Sequence, residues 1–158
     1  MAHFLRVMTK TSEAPALVEL TKSLKAAGYD FQTFPDQEDE RFSDPNWRQY
    51  HLAYDAHKMS LMIDRSVKGD EGGELSEEIA EFQADLAGLA GAGKEAIEAL
   101  LAETEQIVAC MIPDDITEQG WELVESLLET LLEATDGHLQ VDGEGFYDKE
   151  GQLIFSME

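Results

Sequence analysis

A short β-branched run followed by a long leucine-striped segment most limits the folds open to this chain. The run is "QIVACMI" (106–112), and the segment after it, "TEQGWELVESLLETLLEATDG" (117–137), repeats large apolar residues at helical spacing. Thr117 is a typical N-cap and Gly137 a typical helix stop. The inward side of this helix is predicted to consist of Trp121, Val124, Leu127, Leu128 and Leu131. An apolar strand followed by such a helix predicts a sheet with the strand at its centre and the helix packed over it.

The N-terminal end has the same order of elements. It predicts a strand at 3–9, a helix that begins at Ser12 as N-cap and stops at Gly28, and a second strand at 29–34. Both ends of the chain therefore follow a β-α-β pattern.

The tail, "VDGEGFYDKEGQLIFSM", carries the acidic residues and glycines of a calcium loop, but at the wrong positions. An EF-hand that started at Asp142 would have Phe146 at its fifth position, where an oxygen ligand is required. Two strands, near 138–147 and 151–157, with a turn at "DKEG" that ends in Gly151, explain the segment better.

The middle of the chain contains one ambiguous segment. Residues 47–65 fit a helix or a hairpin, and the breaker region that follows favours a hairpin with strands at 50–55 and 59–64. All elements together predict one α+β domain over 1–158, with a mainly antiparallel sheet covered by helices. The order is ferredoxin-like (β-α-β … β-α-β-β) with a helical insertion at roughly 74–105.

The net charge of −23 is divided unevenly along the chain. Residues 1–69 hold 10 acidic and 9 basic side chains, whereas residues 70–158 hold 24 acidic and 2 basic ones. A field of this sign repels nucleic-acid phosphates and anionic lipid, so we expect neither direct nucleic-acid binding nor membrane binding. It attracts a basic protein surface. Solubility alone explains the acidity equally well.

A single cysteine, Cys110, lies inside the apolar run at 106–112. One such thiol forms no disulfide framework and suits a reducing compartment. The sequence shows no signal peptide and no apolar stretch of transmembrane length. We therefore expect a cytoplasmic protein.

The sequence "GLAGAGKE" (88–95) matches the start of a phosphate-binding loop but fails the rest of the motif. Glu95 stands where a serine or threonine should bind magnesium, and the segment follows a helix instead of a strand. A link of small residues between two helices is the better interpretation. No other motif predicts a cofactor.

Histidine and aspartate side chains in the middle of the chain offer one candidate metal or ligand site. If 50–55 is extended, His51 and Asp55 share a face, and His57 joins them only if the strand continues through its own turn. Ordinary surface histidines explain these residues more simply. The sequence singles out no catalytic residue.

The positive signal is a row of glutamates on the 117–137 helix, opposite its leucines. With i,i+3 and i,i+4 spacing and no interleaved lysine, the row destabilises the helix slightly and either is merely solvated or binds a partner. The candidate partner-binding residues are Glu118, Glu122, Glu125, Glu129, Glu133, Asp142, Glu144, Phe146, Tyr147 and Asp148. Phe146 and Tyr147 either supply aromatic contacts to the partner or belong to the core, and their burial distinguishes the two.

Two functions from different classes follow. The first is a non-enzymatic acidic protein of the immunity or inhibitor type that docks on a basic protein partner. The second is an enzyme, or a domain that binds a metal or small ligand in a pocket near His51, Asp55 and His57. Formation of a homodimer through an exposed sheet edge is compatible with either function.

Overall fold

The computed structural model describes residues 3–157, which form one eight-stranded sheet and four α-helices. The strands are β1 (His3–Thr9), β2 (Gln32–Phe34), β3 (Gln49–Ala53), β4 (Leu61–Val67), β5 (Gln106–Ile112), β6 (His138–Val141), β7 (Gly145–Tyr147) and β8 (Leu153–Ser156). The helices are α1 (Leu17–Ala26), α2 (Glu74–Ala87), α3 (Lys94–Glu103) and α4 (Glu118–Thr135), with a short 3-10 turn at Glu40–Phe42. No helix in this described part of the chain is both long enough and apolar enough to cross a membrane.

The strands lie in the order β2-β3-β4-β5-β1-β6-β7-β8, and every neighbouring pair is antiparallel. The predicted α+β class with an antiparallel sheet is therefore confirmed. The ferredoxin-like order is not confirmed, because eight strands share one sheet and β1 lies between β5 and β6. Helices α2 and α3 connect β4 to β5, which are adjacent in the sheet, so 74–103 is an excursion between two paired strands.

Helices cover both faces of the sheet. Residues of opposite parity on one strand point to opposite faces, as Val7 and Met8 do on β1. On the first face, the side chains of α1 and α4 pack with Val7, Val108 and their neighbours into the larger core cluster. On the second face, α2 and α3 pack on Met8, Ile107, Phe146 and Phe155.

The first helix starts later than predicted. Its N-cap is Ala16, so the assignment of Ser12 to that position is wrong. Glu19 replaces a side-chain cap by accepting the backbone N–H of Ala16 at 3.2 Å. The predicted stop is correct, since Gly28 has φ +100 and donates its N–H to the Lys25 carbonyl.

The hairpin interpretation of 47–65 is confirmed, with Leu52 of β3 paired to Leu61 of β4. The predicted strand at 29–34 shortens to β2, and the predicted strand at 138–147 is two strands, β6 and β7, separated by a turn.

The structure also contains the turn and the helix N-cap that were predicted near the C-terminus. The turn ending at Gly151 is confirmed, because the Gly151 N–H reaches the Asp148 carbonyl at 3.0 Å. Thr117 caps α4 as predicted, accepting the Gly120 N–H, but the helix ends in a left-handed Asp136 instead of at Gly137.

The small-residue link between α2 and α3 packs against the edge strand β8. Gly93 has φ +90, and a Cβ added there would lie 2.0 Å from the carbonyl oxygen of Ile154. The glycines of "GLAGAGK" thus permit a close approach of two backbones, in accord with the interpretation as a helix link.

The guanidinium of Arg65 is buried on the first face, with 4% of the residue exposed. It donates to Gln106 Oε1 at 2.7 Å and to the backbone carbonyls of Ser12, Pro45 and Trp47 at 2.8 to 3.0 Å. It also lies over the Trp47 ring. Burial lowers the pKa of Arg65 to about 10. One side chain therefore ties β5 to the segments that precede α1 and β3.

Burial also raises the pKa of the Cys110 thiol to about 12 from its usual 9.0. Because the unfolded chain ionises this thiol at lower pH than the folded protein does, the unfolded state binds fewer protons above pH 9. We expect the free energy of unfolding to fall as pH rises from about 9 to about 12, with about 3 kcal/mol lost to Cys110 by pH 11. Urea unfolding at pH 8 and pH 11 measures the fall, which should be smaller in Cys110→Ala. An equal fall in both proteins would contradict this assignment.

Candidate functional site

The predicted glutamate row forms an exposed stripe along α4. We call these residues the acidic row: Glu118, Glu122, Glu125, Glu129 and Glu133, all exposed. The opposite side of α4 is buried in the first core cluster. None of the ion pairs found within residues 3–157 includes a member of the row. Its charge therefore acts on the solvent side of the first face.

The predicted acidic residues of the tail lie at the two ends of β6, so they do not all extend the acidic row. Asp148 is near the end of α4, since its neighbour Lys149 pairs with Asp136 at 2.7 Å. The Asp148 carboxylate accepts hydrogen bonds from the backbone N–H groups of Glu150 and Gln152, so it stabilises the turn between β7 and β8.

Asp142 lies at the other end of β6 and belongs to a network on the second face. It accepts the Phe4 N–H at 3.0 Å, the Arg6 guanidinium at 2.7 Å and the Gln140 amide at 3.0 Å. Burial raises the pKa of Asp142, but the hydrogen bonds from Gln140, Arg6 and Phe4 outweigh burial and bring it below the ordinary value. Glu144, in the same turn, accepts the Tyr147 hydroxyl at 2.5 Å.

The expectation that Phe146 is an exposed aromatic contact is wrong. Phe146 is 0% exposed and packs edge-on against Phe82, with ring centroids 5.8 Å apart. Tyr147 points to the first face and is half-buried against the larger core cluster. The Phe-Tyr pair of the tail belongs to the cores on the two faces.

The histidine candidates do not converge. Strand β3 ends at Ala53, so Asp55 and His57 lie in the turn, where Asp55 accepts the His57 backbone N–H at 2.8 Å. His51 lies in the strand, and its ring is 5.4 Å from that of Phe34. Among residues 3–157, no three His, Cys, Asp or Glu side chains are grouped so that they could hold a metal ion.

A different surface emerges from the strand register, on the second face. Five adjacent strands place one side chain each in a continuous row: Phe34 pairs with His51, His51 with Met62, Met62 with Met111, and Met111 with Phe4. Phe34 is 45% exposed, and the other four are half-buried. We call these five residues the open face. Helices α2 and α3 leave it uncovered because they pack on the other half of this side of the sheet.

Helix α2 borders the open face on one side. Arg6 and Glu78 form an ion pair there, and the Arg6 guanidinium lies between the rings of Phe4 and Phe82, 4.9 and 5.2 Å from their centroids. The ion pair and the ring contacts hold α2 beside the row instead of over it.

A polar groove of about 690 Å³ continues the open face towards the N-terminus of α2. Its floor includes Gln49 and Asp64. These two residues are paired across β3 and β4, and each lies two residues along its strand from His51 or Met62, on the same face of the sheet. Three of the chain's four arginines line it, but Arg48 pairs with Asp70 at 2.8 Å, Arg41 pairs with Asp39, and Arg65 is bound to carbonyls. Their donors are already engaged within the protein.

Carboxylates outnumber cations around the open face. The neighbouring cations are Arg6, which lies over the Phe4 ring and is paired with Glu78 and Asp142, Arg41, which lies over the Phe34 ring and is paired with Asp39, and Lys58. The carboxylates belong to the loop after β2, to the ends of β3 and β5, and to β4: Asp36, Glu38, Asp39, Glu40, Asp55, Asp64, Asp114 and Asp115. The open face is thus an apolar, methionine-containing surface with an acidic rim.

Comparison of the chain with protein-family models, with curated proteins and with solved structures finds no match.

Proposed function

We propose that this chain is a non-catalytic binding protein that docks on a basic protein partner. The proposal rests on one difference: most basic side chains form ion pairs within the protein, whereas the acidic row forms none. Six basic side chains are neutralised in ion pairs within the described chain: Arg6, Lys10, Arg41, Arg48, Lys68 and Lys149. Arg65 is buried. The acidic row, by contrast, is exposed and forms none of the ion pairs found within residues 3–157; the nearest basic side chain shown is Lys149, at its Glu133 end.

This arrangement produces a negative field that extends into solvent. Fields of this kind raise association rates with oppositely charged proteins and are screened by salt. Like-charged neighbours at i,i+4 cost a helix a few tenths of a kcal/mol per pair, so the row does not stabilise α4. Attraction of a basic partner is the function that such a surface serves best.

The test combines affinity capture with association kinetics. The tagged protein should retain a basic protein from extract at about 50 mM salt and release it at about 500 mM, because salt screens the charges. With that partner purified, Glu122→Gln, Glu125→Gln and Glu129→Gln together should lower the association rate severalfold and change the dissociation rate little. The control is the triple Glu→Asp variant, which keeps the charge. An association rate that is independent of salt would overturn the proposal.

A further inference from the structure

We propose that the open face holds one amphipathic helical segment of the partner, with its apolar side on the Phe34–Met111 row and its lysines and arginines at the acidic rim. The basic character of that segment rests on the function proposed above. The place of contact and its apolar character rest on the strand register and on the coverage of the two faces.

The sheet has room for another helix on its second face. On the first face, α1 and α4 cover strands from β3 to β6. On the second face, α2 and α3 pack on side chains of β1, β5, β7 and β8, and α2 also contacts β4, which leaves the end of the sheet at β2 and β3 without a helix on this face. A sheet with one apolar face normally buries it under another element. The open face is the part of this sheet that lacks such a cover.

The row has the dimensions and chemistry of a helix-binding surface. Five strands about 4.8 Å apart give a row roughly 19 Å long, which matches about 13 residues of helix. Methionine side chains are flexible and polarisable, so Met62 and Met111 adapt to apolar residues spaced along a helix. Phe34 and Phe4 at the ends of the row supply rigid aromatic contacts.

Two other occupants fit the structure less well. A second copy of the chain would bring two acidic rims together, and each copy carries a net charge of −23. An extended strand would need a free sheet edge. Strand β2 is only three residues long and is followed by Pro35, which has no N–H, while β8 lies against the α2–α3 link at Gly93. Charge complementarity and the lack of a suitable edge both favour a basic helix.

The experiment uses two synthetic peptides of about 14 residues with the same leucine and lysine composition. In one peptide the leucines follow helical spacing, and in the other the order is scrambled. We expect the amphipathic peptide to bind at least about tenfold more tightly at about 0.15 M salt. Met62→Gln with Met111→Gln should remove that difference. Met59→Gln, at an exposed turn position outside the row, should preserve it.

Methionine methyl NMR provides a readout on the wild-type protein that does not depend on the folding of any variant. Addition of the amphipathic peptide should shift the methyl signals of Met62 and Met111 and leave that of Met8, which is buried under α2 and α3, unchanged. Equal, salt-sensitive binding of both peptides with no shift at Met62 would overturn the inference and leave the proposed function standing. Failure of both peptides to bind at low salt would overturn both. A wild-type dimer that the double Met→Gln variant abolishes would overturn the inference in favour of a second copy.

Discussion

Gly145→Ala is expected to lower the free energy of unfolding by about 3 kcal/mol or more, a loss that only a few kinds of substitution produce. Gly145 has φ +147, and a Cβ there would lie 2.1 Å from the Phe155 carbonyl oxygen and 3.0 Å from Ser156 Cα. Both atoms belong to the backbone of β8, which is paired with β7 at this point, so neither can rotate away. The two strands must separate, and Phe155 and Phe146 then lose their packing in the second core cluster.

Gly151→Ala is the matched control for this prediction. Gly151 also has a positive φ, +85, but nothing lies within 4 Å of an added Cβ. It should cost about 1–2 kcal/mol from backbone strain alone. Urea unfolding of both variants and the wild type measures the difference. Equal losses of unfolding free energy in the two variants would show that backbone conformation alone explains the effect of Gly145→Ala. They would contradict a close approach of β7 and β8 at this position.

Arg65→Met is expected to cost about 3 kcal/mol or more, because it removes a buried donor group from four neutral acceptors at once. Gln106 Oε1 and the Trp47 carbonyl would remain buried without the donor they now share, and the Pro45 carbonyl, at the surface, would lose its bond as well. The methionine keeps most of the apolar volume over the Trp47 ring. The lost stability of Arg65→Met therefore measures the missing hydrogen bonds and not the creation of a cavity.

Two further variants separate the geometry of the guanidinium from its charge. Arg65→Lys keeps the charge but not the planar fork, so it should recover only part of the lost stability. Arg41→Met removes an exposed arginine that is paired with Asp39 and should change stability little, because solvent screens an exposed ion pair. Thermal or urea unfolding of all three variants tests the order. A loss in Arg65→Met no larger than that in Arg41→Met would contradict the role assigned to Arg65.

Local patterns predicted most of the elements of this fold. The Thr117 cap, the leucine spacing of α4, the β-branched run of β5 and the turn at Gly151 depend on neighbours within a few residues, and each is found in the structure. The strand order could not be predicted from the sequence, because β1 pairs with β5 and β6 across about a hundred residues or more. No local pattern encodes such a pairing.

The candidate site shows the same limit. The exposed glutamates of α4 follow from helical periodicity, whereas the burial of Phe146 depends on α2 packing over a strand 60 residues away in sequence. Alternation in β3 places His51 on the face opposite to Tyr50 and Leu52, and it is a local signal for the open face that the sequence contains. That His51 lies in line with Phe34, Met62, Met111 and Phe4 required the register of four strand pairs.

The acidic row and the open face lie on opposite sides of the sheet, so they would serve a partner differently. Charges at a distance affect the rate of encounter, whereas contacts in an interface mainly affect the rate of dissociation. We therefore expect substitutions in the acidic row to change the association rate and substitutions in the open face to change the dissociation rate.

The position of β1 in the middle of the sheet has a consequence for synthesis on the ribosome. β1 is made before both strands that flank it, because β5 and β6 come at least about a hundred residues later. At about 5–20 residues per second, β1 waits on the order of 5–20 s before its first partner is complete. During that interval Leu5, Val7 and Met8 have no neighbouring strand to pair with, so this apolar segment is open to aggregation until β5 is made.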